Sequence, residues 1–74
     1  MGKLRRLSGQ DVRRLLQKHD FALVRQRGSH MILQRRTQTG STITVPVPDH
    51  KELKTGTLRG IIEQSTLPRS LFEH

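Results

Sequence analysis

The run Thr42-Ile43-Thr44-Val45-Pro46-Val47 constrains the fold more than any other part of this chain. Its β-branched residues favour extended backbone, and Ile43, Val45 and Val47 recur at period two, which gives the strand one apolar face. Proline has no amide to offer a ladder, so Pro46 and Pro48 fit only where pairing is ending, and the strand belongs at the edge of a sheet. Asp49 to Lys54 must then be a loop.

An edge strand needs a sheet, and the preceding residues supply it. Phe21 to Arg27 alternates loosely between apolar and polar, Gly28-Ser29 interrupts it, and His30 to Arg36 resumes as a second extended run, so the pair reads as a hairpin. The polar stretch Thr37 to Ser41, with Gly40 in it, leads to the third strand.

Ahead of the hairpin, Ser8 and Asp11 have the spacing of a capping pair, and Val12, Leu15, Leu16 and His19 recur at helical intervals, which predicts a helix over residues 9–19. Beyond the loop, Thr55 or Gly56 starts a second helix carrying Leu58, Ile61 and Ile62 on one face. Pro68 breaks it near Ser65 to Leu67, and Leu71-Phe72 form a short closing helix.

The order α-β-β-β-α predicts an α+β domain with a three-stranded antiparallel sheet and both helices on one of its faces. Leu15, Leu16, Leu58, Ile61 and Ile62 are the residues expected to be buried between these layers. The chain has 74 residues, so residues 1–74 form one domain, close to the smallest size that a core holds together without disulfides or metal.

Charge narrows the function. Lys and Arg number 14 against 6 Asp and Glu, a formal charge of +8, and such a surface attracts polyanions before any specific contact forms. A membrane-lying helix would need a wide apolar face, and the chain has two Phe and no Trp or Tyr, so nucleic acid is the better partner. The same shortage argues against stacking successive bases on aromatic platforms, since Phe21 and Phe72 both read as structural. No run is apolar enough to span a membrane and the first residues lack an apolar signal core, so a cytoplasmic location is expected.

With no cysteine, chemistry falls to His, carboxylates or hydroxyls. The four histidines are scattered, with no metal-ligand spacing among them and the acids, so no metal or other cofactor is expected. Cleaving an RNA backbone takes a base to remove a proton from the attacking hydroxyl and an acid to protonate the leaving oxygen, tasks suited to imidazole.

His30 is the best-placed candidate, directly after Gly28-Ser29, whose small side chains let a phosphate approach the backbone, and between Arg25, Arg27 and Arg35 in sequence. Taken alone, Gly28-Ser29-His30 reads better as an ordinary hairpin turn with a polar residue opening the next strand, and Ser29 as a turn residue or a phosphate donor.

His50, at the strand exit Val47-Pro48-Asp49-His50, ranks second, while His19 belongs to a helix end and His74 to a terminus. Gly56-Thr57-Leu58 at a helix start could hold a phosphate on backbone amides, though capping explains it as well. A basic face built from Arg5, Arg6, Arg13, Arg14 and Lys18 on the first helix, joined by Arg25, Arg27, Arg35 and Arg36 from the sheet, is either a binding surface or solvated charge.

Three segments in order carry a resemblance: Gly28-Ser29-His30, then Val47-Pro48-Asp49-His50, then Leu53-Lys54-Thr55-Gly56-Thr57-Leu58 followed by Ile61-Ile62. Together they resemble the HicA family of bacterial toxin ribonucleases over nearly the whole chain. The resemblance implies a fold like the double-stranded RNA-binding domain. It implies a toxin that cleaves mRNA without a metal and is held inactive by a HicB-type antitoxin, with the catalytic histidine falling on His30. It leaves the second acid/base role to His50, Lys54 or a water. The competing function from another class is a non-catalytic basic RNA-binding module, which would bind RNA in a salt-sensitive way without cutting it.

Overall fold

The computed structural model describes residues 2–74, in the order α1 (Gly9–Lys18), β1 (Ala22–Arg27), β2 (His30–Arg36), β3 (Thr42–Pro48), α2 (Thr55–Ser65) and a closing 3₁₀ turn, Arg69–Phe72. The strands form one antiparallel sheet in the order β1-β2-β3, so β1 and β3 are its edges. This is the expected α-β-β-β-α domain.

Period two assigns the faces. Met31 and Leu33 on β2 lie across from Val47 and Val45 on β3, and all four are fully buried beneath the helices. Val12 and Leu16 of α1 and Leu58, Ile61 and Ile62 of α2 close over them. Leu15 is only partly buried, at the margin of this core, whereas Leu7, Phe21, Leu53 and Phe72 are buried and extend it beyond the residues expected.

Pro46 departs from expectation. It pairs with Ile32 in mid-strand, and β3 runs on to Pro48, which lies across from His30. A proline inside the ladder is tolerated because β3 has a neighbour on one side only, so a missing amide on the open side costs no sheet bond.

Helix α1 opens on the anticipated capping box. Ser8 Oγ accepts from the Asp11 amide at 3.0 Å, and the Ser8 amide donates to Asp11 Oδ2 at 3.0 Å. The Ser8 amide first, and then the Ser8 hydroxyl and Arg14, hold the Asp11 carboxyl below the usual aspartate range. A carboxyl depressed on folding contributes stability that is present above its unfolded pKa, near pH 4, and is lost as pH falls through the lower folded value. Ser8→Ala is expected to cost about 1 kcal/mol in urea unfolding at neutral pH. Its deficit relative to the parent should shrink in acid, and a deficit independent of pH would contradict the carboxylate's part in the cap.

The other helix ends differently. Thr66 takes a left-handed φ of 61° at the end of α2, where Ser65 Oγ donates to the Ile62 carbonyl at 2.8 Å and accepts the Leu67 amide at 3.2 Å. The buried serine thus supplies, inside the core, the polar contacts that a turn before Pro68 requires.

Candidate functional site

The β1–β2 turn consists of Gly28 and Ser29 alone. Gly28 has φ 57° and Ser29 is not in the left-handed region, the pattern of a II′ hairpin turn, which needs glycine at its first position. A side chain on Gly28 would meet nothing within 4 Å, so conformation, and not space, selects glycine there.

The turn sets His30 at the first position of β2, with Arg27 directly across on β1 and Pro48 across on β3. Arg25 pairs with Ile32, one step along the same face. His30, Arg27 and Arg25 therefore lie together on the side of the sheet that the helices leave open, all three exposed. Among the described residues the His30 imidazole makes no side-chain hydrogen bond, and the residue is exposed.

Two other segments meet at this end of the domain. The Asp49 amide donates to the Ser29 carbonyl, tying the exit of β3 to the hairpin turn. Gln10 Nε2 donates to Asp49 Oδ1 at 3.1 Å, and Gln10 Oε1 accepts from Arg13 Nε at 2.8 Å, so the first turn of α1 grips the same loop. The Gly9 amide donates to the His50 carbonyl at 2.8 Å. His50 is thereby fixed through its backbone, with its side chain exposed.

Lys54 is exposed and forms the N-cap of α2, which begins without a side-chain cap or an acidic residue in its first turn. The N-terminus of α1 lies at this end, where partial positive charge favours anions. Asp11 compensates that charge in α1, whereas the first turn of α2 carries no acidic residue.

Arg35 does not join the group. Its position in β2 puts it on the helix-covered side, at the far end of the strand, with its guanidinium 5.4 Å from the centre of the Phe21 ring and Nη2 donating to Thr66 Oγ1 at 3.1 Å. Alternation alone separates the two: His30 and Arg35 have opposite parity on one strand, so they face opposite sides. On α1, Arg14 is engaged by Asp11 and Arg13 by Gln10 and Gln17, so the basic face is partly pinned by its own helix.

Gly9 and Gln10 escaped the sequence reading. A Cβ on Gly9 would run into the Pro48 carbonyl oxygen, with the Asp49 Cα at 3.0 Å, so α1 meets the β3 exit backbone to backbone. Glycine is poorly suited to a helix, and one placed immediately after a capping serine is a legible sign of such close approach.

A search of curated proteins finds no match, but the family model for the HicA toxin of bacterial toxin–antitoxin systems matches residues 9–67. The chain belongs to the HicA toxin family. As a HicA protein it is the toxin of a toxin–antitoxin system. The match begins at Gly9 and ends at Leu67, so it takes in α1, the whole sheet and α2. Among the described residues no cluster of His, Asp and Glu has a metal-binding arrangement, and no helix is long and apolar enough to cross a membrane.

Proposed function

We propose that this HicA chain is a metal-independent endoribonuclease that cleaves mRNA, with His30 as its general acid/base, and that a HicB-type antitoxin inhibits it. The observation that carries the reading is the exposed His30 imidazole beside Arg27 and Arg25, on the open side of the sheet and next to a two-residue turn. In the reaction a base takes the proton of a ribose 2′-hydroxyl, whose oxygen attacks the adjacent phosphorus. The bond to the 5′-oxygen breaks, and that oxygen leaves with a proton from an acid.

Each residue has a part. Arg25 and Arg27 hold the phosphate by charge, Gly28 and Ser29 let it approach the turn, and His30 moves the proton. His50, whose loop is tied to the hairpin turn through Asp49, or Lys54, or a water, supplies the second transfer. The RNA-binding-domain likeness implied by the sequence belongs to this reading too, as does action in the cytoplasm.

The test is incubation of the isolated chain with a structured and an unstructured RNA in EDTA. Cleavage into discrete products is expected. Salt-sensitive binding with no cleavage would replace the nuclease by a non-catalytic RNA-binding module.

A further inference from the structure

Strand β1 is an edge of the sheet, and every one of its six residues is exposed. Two of them are large and apolar, Leu23 at 38% and Val24 at 48% exposure, the exposed large hydrophobics among the described residues. Leu23 lies across from the fully buried Leu33, so it is on the helix side of the sheet, yet it remains exposed there. Val24 stands in a bulge where the register shifts between Leu23 and Arg25. On the opposite face of the same strand are Arg25 and Arg27. An open edge offers unpaired amides and carbonyls to any extended segment, and apolar side chains beside it add the driving force.

The occupant follows from charge. A second copy of this chain would set Arg25 and Arg27 against their own equivalents in a molecule of net charge +8. We propose that β1 is the docking edge for an extended segment of the antitoxin, one that alternates apolar and acidic residues. Its apolar side covers Leu23 and Val24 and its acidic side meets Arg25 and Arg27. The inference rests on the reading that an antitoxin inhibits this chain, and it deepens that reading by giving the inhibitor a place. Because Arg27 lies across from His30, acidic residues seated on this strand reach the edge of the candidate site and compete there with a phosphate.

The experiment measures affinity of the parent and of the double variant Leu23→Ser, Val24→Ser for the cognate antitoxin, together with RNA cleavage and a thermal melt. Both positions are exposed and neither change alters charge, so the variant should fold and cut RNA as the parent does. Its affinity should fall about tenfold or more, the loss expected when two side chains no longer bury apolar surface. In the parent, amides of the free edge of β1 should gain protection from hydrogen exchange when the antitoxin is added, a readout independent of the variant.

Equal affinity of parent and variant, with β1 amides still exchanging freely, overturns the docking edge while the antitoxin reading stands. A parent that fails to bind the antitoxin overturns both. Unchanged antitoxin binding with weakened RNA cleavage would assign the strand to RNA instead.

Discussion

His30→Ala is expected to lower RNA cleavage about 100- to 10,000-fold, the range that a positioned acid/base side chain contributes. The fold should not notice the change. His30 is exposed, its imidazole holds nothing in place, and surface substitutions of this kind generally stay within about 0.5 kcal/mol. Binding should also persist, because Arg25 and Arg27 remain on the same face. The measurement is cleavage in EDTA beside an unfolding curve and an RNA-binding titration. A variant that cuts RNA at the parental rate would remove His30 from the mechanism and pass the proton transfer to His50 or Lys54.

Phe72→Ala should produce the largest loss of stability, about 3–5 kcal/mol. A domain of this length has roughly 4–11 kcal/mol in total, so the variant should be close to unfolded at 37 °C, with a melting temperature far below that of the parent. Phe72 is fully buried, and its carbonyl accepts the Arg5 amide at 2.8 Å. Nearby, Leu4 pairs with Glu73, and the His74 amide donates to the Lys3 carbonyl at 3.0 Å. These residues lie outside the 9–67 segment that defines the family, yet they close the core. A melt indistinguishable from the parent's would mean that the aromatic ring carries little of the core's stability.

Much of the fold was legible. Ile43, Val45 and Val47 announced a strand with one apolar face, Gly28-Ser29 the hairpin, and Ser8 with Asp11 the start of α1, because each is a local rule about backbone or side-chain geometry. What stayed hidden depends on partners distant in sequence. Pro46 sits within the ladder because no strand lies on its open side, and Leu23 and Val24 are exposed because β1 is the sheet's other open edge. Neither fact is written in neighbouring residues.

The site divides in the same way. Arg27 and His30 share a face because the register across the hairpin makes them partners, and the two-residue turn between them made that pairing readable. Arg35, close to His30 along the chain, went instead to Phe21 and Thr66 on the far side, a separation that strand alternation fixes and nearness in sequence obscures. The Gln10–Asp49 bond spans 39 residues and had no local sign.

The helices lie on one side of the sheet only, so successive residues of β2 answer to different demands. Met31 and Leu33 are confined by the packing of the interior, while His30, between them and the turn, faces outward with its cross-strand neighbours Arg27 and Pro48. A change of side chain on the outward positions alters what the molecule presents to its surroundings without entering the interior. The open side of such a sheet can therefore diversify from one toxin to another at a pace that the requirements of folding do not set.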